Sequence, residues 1–352
     1  MELLVLNQQF RWLGVIDAYE SMIWTERFSE YGDFEIVTTV NQEHLNLARQ
    51  DYYVTRTDTR TIMIIEKVEI RTDVDEGSRL TISGRSLESI LTRRLIWSQT
   101  ILDGNLQNGI QRLITDAIIE PTDSKRAISN FKFQLSEDPN ITSLKVRCQF
   151  TGDVLYTAVK DICDAAEIGF RIYLDDDLNF IFELYAGSDR SYEQSDNPYV
   201  IFSPNFDNII NSNYMESKME WCNIALVAGE DEGEKRRTKE VGDSEATGLD
   251  RRELYVDARD IQSDDASITT AEYNAQLESR GNEKLAEHST ETMFEGGIDY
   301  MNMFVYGRDF YMGDICQIEN EYGLQARVRI TEYVMSDNVS DGVSAYPTFT
   351  MI

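Results

Sequence analysis

The sequence is poor in the residues that most often build catalytic and metal sites. Its 352 residues include 2 histidines and 4 cysteines. His44 and His288 both fall in predicted helices, and neither has a second ligand at metal-binding spacing. The four cysteines are scattered and form no C-x-x-C pair: Cys148, Cys163, Cys222 and Cys316. We therefore expect no zinc site, no disulfide framework and no cofactor.

Positive charge is also scarce. Lys and Arg together number 33 against 63 Asp and Glu, which gives a formal net charge of -30. Phosphate binding needs clustered Lys and Arg, so specific recognition of nucleic acid is not expected. No apolar run approaches the roughly 20 residues of a transmembrane helix, so we expect no membrane-spanning segment. With only 5 prolines and 20 glycines, the composition favours a folded chain over a linker-rich one.

Catalytic motifs are missing as well. The sequence contains no G-x-S-x-G elbow and no glycine loop of the Walker or dinucleotide type. Carboxylates are abundant, but no pair is marked out as the acid and base of a glycosidase. The acidic runs 175–177 and 230–232 are typical of solvated turns. We predict no enzymatic activity and name no catalytic residue.

The pattern of apolar residues divides the chain into three regions. Residues 1–103 are strand-rich, with a long strand at 61–70, a polar turn at 73–77 and a partner strand at 79–83. Short helices are predicted after Asn41, which serves as N-cap, and at 86–93. Residues 104–200 form an α+β region.

In that middle region one helix covers 106–118 and stops before Pro121. A second helix is capped by Thr151 and ended by Gly169, and a hairpin follows at 170–184. Residues 201–352 are β-rich again, with strands at 298–306, 314–319, 325–334 and 346–351. An inserted charged loop and helix occupy about 230–296, and Thr269-x-x-Glu272 is a capping box that opens the helix.

The most distinctive stretch is residues 14–36, which is predicted to be a strand, a polar crossing and a second strand. Val15, Tyr19 and Ile23 are expected on one face, and the alternation resumes from Phe34 after a turn at residues 32–33. The crossing carries Trp24, Arg27 and Phe28. A barrel or sandwich needs side chains at such a crossing to close its core.

Several short motifs in this sequence resemble motifs of siphophage tail-tip hub proteins. These are the tail-associated proteins related to the baseplate hub of contractile-tailed phages. The first is Ile-Asp-x-Tyr-x-Ser-x-x-Trp at 16–24, followed by Gly-x-Phe-Glu at 32–35. Ser-Gly-Arg-Ser-Leu at 83–87 and Arg-Arg-x-Ile-Trp at 93–97 come next. A hairpin over 311–332, with Gly-Asp at 313–314, completes the set.

The resemblance implies a structural virion protein with a β-rich α+β fold. Two β-barrel domains, 1–103 and 201–352, would flank the α+β domain at 104–200. It further implies a homotrimer at the tail tip, assembled in the host cytoplasm. Its neighbours would be the distal tail protein, the tail tube protein, the tape-measure protein and a receptor-binding or lysin protein, and DNA would pass through it at ejection. Candidate barrel-closure or subunit-interface residues are Trp24, Arg27, Phe34 and Trp97.

Two other functions stay open from the residues alone. One is a glycan-active tail enzyme that hydrolyses peptidoglycan or surface polysaccharide, which would need a cleft with two converging carboxylates. The other is a monomeric module that binds carbohydrate or protein without catalysis. The chain ends within about twenty residues of the hairpin, where relatives with a lysin region continue, so we expect a separate protein to carry that activity.

Overall fold

The protein has a β-rich α+β fold. The computed structural model describes residues 2–73, 77–261, 269–298 and 303–352. The chain divides into two compact units, one made of Met1–Ser212 with Glu295–Ile352 and the other of Asn213–Phe294. None of the helices in the described ranges could span a lipid bilayer.

Twenty-one strands are present in the described residues. They are β1 (Leu3–Leu6), β2 (Trp12–Ile16), β3 (Ser21–Arg27), β4 (Asp33–Thr39), β5 (Tyr53–Arg56), β6 (Ile62–Asp73), β7 (Gly77–Ser86), β8 (Thr100–Asn105), β9 (Phe131–Gln134), β10 (Lys145–Phe150), β11 (Gly169–Leu174), β12 (Phe180–Tyr185), β13 (Ile201–Phe202), β14 (Ile209–Ser217), β15 (Ile224–Ala228), β16 (Thr238–Gly242), β17 (Glu253–Asp257), β18 (Glu291–Ile298), β19 (Ile315–Glu319), β20 (Gln325–Asn338) and β21 (Gly342–Met351).

Helices are fewer and shorter. The α-helices are α1 (Gln42–Leu47), α2 (Leu106–Ile114), α3 (Pro139–Thr142), α4 (Leu155–Ala165) and α5 (Thr270–Glu287). A π turn at Thr115–Ile119 continues α2, and a 3-10 helix covers Leu87–Arg93. Short 3-10 turns lie at Ser124–Arg126, Pro204–Phe206, Gly233–Lys235 and Gly248–Asp250.

One 11-stranded sheet joins both ends of the chain. Its order is β13-β19-β20-β3-β4-β7-β6-β5-β1-β2, with β21 also paired to β20. The N-terminal strand β3 therefore bonds directly to the C-terminal strand β20, with Arg27 opposite Glu332 and Trp24 opposite Met335. The described strands form no closed barrel, so the expectation of two barrels is not confirmed. The α+β, β-rich character that the sequence predicted is confirmed.

Local patterns predicted several elements well. The paired strands expected at 61–70 and 79–83 are β6 and β7, although residues 74–76 of the predicted turn lie outside the described residues. Asn41 caps α1 by accepting a hydrogen bond from the His44 N–H at 2.7 Å. The capping box of Thr269 and Glu272 is present at the start of α5. Of the strand expected at 298–306, residues 299–302 are not described.

Other local expectations were wrong. Stretch 14–36 holds three strands, β2, β3 and the start of β4, because residues 17–20 break the first predicted strand in two. Ile23 is 44% exposed, whereas Met22 and Trp24 are buried, so the inward face of β3 is the opposite one. Thr151 does not cap α4, which begins after Val154 and ends at Ala165, before Gly169 opens β11.

The middle region packs into one core with the first β-rich region. Strands β11, β12 and β9 form a three-stranded sheet, and β10 pairs with β8. A single apolar cluster combines Ile64 of β6, Leu87 and Leu91 of the 3-10 helix, Ile110 of α2 and Val159 of α4. The α-helices thus cover this sheet with the apolar stripes that their sequence periodicity predicted.

The unit Asn213–Phe294 has its own small core. Strand β15 lies between β16 and β17, antiparallel to the first and parallel to the second. Tyr273 and Leu277 of α5 pack on Ala225 and Val227 of β15. Strand β14 pairs with β18, and these two strands carry the chain into and out of this unit.

A buried carboxyl connects the 3-10 helix to the middle region. Glu88 is 8% exposed, and its carboxylate accepts a hydrogen bond from the Ile172 N–H of β11 at 2.7 Å. Burial raises the pKa of Glu88, and this outweighs the opposing effects of Ser86 and of the Ile172 N–H. The folded protein therefore favours the protonated carboxyl more than the unfolded chain does.

We predict that Glu88→Gln gains stability over the natural protein as pH rises. A raised folded pKa stabilises the fold at low pH, and that contribution is lost as pH increases through the folded value. Glutamine keeps an acceptor for the Ile172 N–H but does not titrate. Urea unfolding from about pH 5 to about pH 8 should show the difference in unfolding free energy growing with pH.

Glu88→Ala is the matched variant for the hydrogen bond. It leaves the Ile172 N–H without this acceptor, so it should be about 1–3 kcal/mol less stable than Glu88→Gln at every pH. A difference between Glu88→Gln and the natural protein that does not change with pH would contradict a raised pKa for Glu88.

Candidate functional site at the junction of three chain segments

The four residues singled out from the sequence lie in two places. Trp24, Arg27 and Phe34 meet where β3 bonds to β4 on one side and β20 on the other. Trp97 follows the 3-10 helix and is 60% exposed. The structure thus brings three of the four together and leaves the fourth on the surface.

Trp24 and Phe34 are core residues. They are directly opposite each other on β3 and β4, are 1% and 2% exposed, and their ring centroids lie 5.9 Å apart. The guanidinium of Arg56 lies 5.5 Å from the Trp24 ring centroid, and Asp58 binds that guanidinium. Large rings of this kind contribute most of the apolar area that a sheet buries.

Glu26 connects three segments beside Trp24. Its carboxylate accepts hydrogen bonds from Trp24 Nε1 at 3.2 Å, from Thr59 Oγ1 at 2.9 Å and from the Tyr306 hydroxyl at 3.0 Å. Tyr306 stacks on Tyr333 of β20, with ring centroids 4.0 Å apart. Burial, and after it the Glu26 charge, raises the pKa of Tyr306 well above its ordinary value, so its hydroxyl stays a donor.

Arg27 fixes the register of the same strands. Its guanidinium donates to Glu332 at 2.7 Å, to Asp33 at 2.8 Å and to the Tyr31 carbonyl at 3.1 Å. Burial opposes the charge, but Asp33 and Glu332 hold the pKa of Arg27 above its usual range. One cation therefore joins β20, β3 and the turn before β4, in geometry that suits the planar arginine fork.

Phe28, the next residue, is the point where all three sequence regions meet. Its N–H donates to the Thr331 carbonyl of β20 at 2.9 Å. Its own carbonyl accepts from the Phe170 N–H of β11 and from the Tyr185 hydroxyl of β12, both at 3.2 Å. The ring is 4% exposed. This residue of the N-terminal region therefore bonds to both the middle region and the C-terminal hairpin.

Two glycines make room for the Phe28 ring. A Cβ at Gly169 would lie 2.6 Å from the ring, and one at Gly313 would overlap it. Arg329 of β20 covers the ring with its guanidinium carbon 5.4 Å from the centroid, and donates to the Ala186 carbonyl at 3.1 Å. The sequence predicts Phe28 at the crossing but does not identify these partners, although glycine beside a predicted strand is a signal of close approach.

The junction consists of hydrogen bonds and ion pairs between segments that are far apart in sequence. Among the described residues, no group of three or more His, Cys, Asp or Glu is placed to hold a metal ion. The charged groups at the junction are paired in ion pairs and hydrogen bonds that connect distant segments. Its chemistry is suited to holding three parts of the chain in fixed positions.

We predict that Gly313→Ala is more destabilising than Gly307→Ala. Both glycines have positive φ, +86° and +81°, but a Cβ at Gly307 meets nothing within 4 Å. Gly307→Ala should therefore show only the backbone cost, about 1–2 kcal/mol. Gly313→Ala should add about 1–3 kcal/mol through overlap with Phe28. Urea unfolding of both variants measures the difference.

A third variant identifies the origin of that difference. Phe28→Leu removes the ring atoms that a Cβ at Gly313 would meet. The double variant Phe28→Leu/Gly313→Ala should thus lose less stability than the sum of its two single variants. Equal losses for Gly313→Ala and Gly307→Ala, or strict additivity in the double variant, would show that the ring does not require this glycine.

Several solved phage tail proteins have a similar fold. The chain is similar to the 43 kDa tail protein of prophage MuSo2 from Shewanella oneidensis, with 12% identity and a TM-score of 0.62, covering 99% of this chain and 98% of that one. It is similar to the tail protein from Neisseria meningitidis MC58, at 13% identity, TM-score 0.58, and coverage of 99% and 95%. It is also similar to the prophage tail protein gp18 from Listeria monocytogenes EGD-e, with 11% identity and a TM-score of 0.54, covering 99% of this chain and 94% of that one.

Identities this low establish the fold and nothing finer. A comparison with curated proteins finds no match. The family described as Siphovirus ReqiPepy6 Gp37-like protein matches residues 2–349. The resemblance to siphophage tail proteins seen in the sequence is confirmed by this match and by the fold. Since the match spans nearly the whole sequence, the chain belongs to the Siphovirus ReqiPepy6 Gp37-like family.

Proposed function

We propose that the protein is a structural component of a siphophage tail, the homotrimeric hub of the tail tip. The observation that carries this proposal is the junction at Phe28, which bonds the N-terminal region, the middle region and the C-terminal hairpin into one body. A part that transmits force between a tail tube and a tip needs such internal fixation. Family membership and the tail-protein fold support the same function.

In this proposal three copies form a ring beneath the distal tail protein, which joins it to the tail tube protein. The β-rich ends of each subunit supply the wall, as two barrel-like parts per subunit would, in a pseudo-sixfold arrangement. The α+β region closes the ring below. The tape-measure protein and then DNA pass through it, and a separate receptor-binding or lysin protein binds at the tip. Assembly takes place in the host cytoplasm before the virion is released.

The acidic composition suits a surface that DNA passes without binding. A net charge of -30 repels phosphates, so a lumen with this composition does not retain the genome during ejection. No residue is assigned a catalytic role in this function, and no cofactor is required. In this proposal Trp24, Arg27 and Phe34 act by joining β3 to β4 and β20, and Trp97 acts by contacting another subunit.

Solution mass tests the proposal directly. The purified chain, alone and with the distal tail protein of the same phage, should form a complex containing three copies by sedimentation. A chain that stays monomeric in the presence of that ring contradicts the hub. A monomer that releases reducing sugar from host cell wall would instead establish the glycan-active enzyme.

We further predict that Trp24→Ala impairs folding and, through it, ring assembly. Removing a buried Trp side chain costs about 3–5 kcal/mol because the surrounding sheet cannot close the cavity. Trp12→Ala is the matched control, since Trp12 is 64% exposed and its loss should change stability by about 0.5 kcal/mol or less. Thermal unfolding and sedimentation measure both effects. Normal assembly of the Trp24→Ala protein together with loss of an enzymatic activity would contradict the hub function.

A further inference from the structure

Two arginines and a tryptophan form a rigid cationic surface after the 3-10 helix. We call Arg94, Arg126 and Trp97 the arginine patch. Arg94 Nε donates to the Arg126 carbonyl at 3.0 Å, and Arg126 Nη2 donates to the Leu95 carbonyl at 2.6 Å. The Arg126 guanidinium carbon lies 4.0 Å from the Trp97 ring centroid. Each side chain thus holds the backbone beside the other, which fixes both guanidinium groups.

No carboxylate of the described chain neutralises this patch. The ion pairs of the described residues include neither Arg94 nor Arg126, and both direct their hydrogen bonds to backbone carbonyls. Burial lowers the pKa of Arg94, and the like charges of Arg126 and Arg93 lower it further. Uncompensated cations are unexpected in a chain with 63 acidic and 33 basic residues.

Most of the other arginines that lie over aromatic rings in the described residues are also paired with a carboxylate. Seven other arginines in the described ranges lie over aromatic rings, and six of them are also ion-paired: Arg56 with Asp58, Arg85 with Glu66, Arg171 with Glu183, Arg236 with Asp257, Arg237 with Glu230, and Arg329 with Glu167. Arg252 over Trp221 is the exception: it has no such ion pair in the part of the chain that the structure describes, and Lys218 lies over the same ring with its Nζ 5.3 Å from the centroid.

We propose that the arginine patch is a contact between subunits and that it binds carboxylates on a different face of a second copy of this chain. The inference rests on the proposed homotrimer. A ring of three requires a heterologous contact, in which one surface meets a different surface of the next copy. A patch of arginines cannot face itself without repulsion, but it complements the acidic surface that every copy presents.

The side chains are of the types that contribute most to binding energy. Arginine and tryptophan are enriched at the centres of interfaces, and a fixed guanidinium loses little entropy when it binds a carboxylate. Trp97 supplies an exposed ring beside those charges. Together they form an anchor with an apolar part and a cationic part.

Charge reversal tests the contact. Arg94→Glu/Arg126→Glu should raise the concentration needed for half-maximal assembly on the order of tenfold or more in sedimentation experiments. The control Arg71→Glu/Arg259→Glu makes the same change in net charge at side chains that are 82% and 62% exposed, and should leave assembly unchanged. Assembly of the natural chain should weaken as salt rises from about 0.05 M to about 0.5 M, more steeply than that of the reversed variant.

Further variants keep the test decisive if the reversed protein does not fold. Trp97→Ala and Arg126→Gln remove one element each, and circular dichroism checks that they are folded while assembly is weakened. Trimers that form equally well in all variants overturn the arginine patch as a contact but leave the hub intact. A natural chain that never assembles, even with the distal tail protein, overturns both. Binding of a single-stranded oligonucleotide that is lost with charge reversal would show that the patch recognises phosphates instead.

Discussion

The fold depends on the position of one residue, Phe28. Its two backbone groups bond to segments about 300 and about 140 residues away in sequence, and its ring fills the space that Gly169 and Gly313 leave. A buried backbone group without a partner costs free energy comparable to a lost hydrogen bond, and interiors tolerate little overlap. The three segments can therefore satisfy Phe28 only when all of them are in place, which makes their assembly cooperative.

Strand β20 shows how the sheet accommodates this requirement. Its edge bonds to β19 as far as Arg329 and to β3 from Glu332 onward. Between them the register against β21 shifts, which leaves Thr331 as a bulge whose carbonyl accepts the Phe28 N–H. Bulges bend a strand and redirect its edge. The irregularity is thus the feature that lets one long strand join two sets of partners.

The local part of this arrangement is predictable from the sequence. Alternation identified β4, β6 and β7, because one buried face imposes a period of two on the residues themselves. It did not identify the partners of β3, since apolar alternation shows which face is buried but not which distant strand bonds to it. The role of Gly313 was missed for the same reason. Its requirement is set by the Phe28 ring, 285 positions earlier in the chain.

The arginines fall into two groups: some are paired with carboxylates of the same chain, and others have no carboxylate partner among the described residues. Arg27 and Arg329 fix the junction because each finds carboxylates within the chain. Such pairing stabilises a cation that is partly removed from water. A paired cation therefore gains little from binding another molecule. Arg94 and Arg126 are held equally firmly, but by backbone carbonyls that leave the positive charge uncompensated. The like charges of Arg94 and Arg126 repel each other, and the proposed contact with carboxylates of a neighbouring copy would offset that repulsion. The proposed contact would then stabilise the ring at the place where the isolated subunit carries unpaired positive charges.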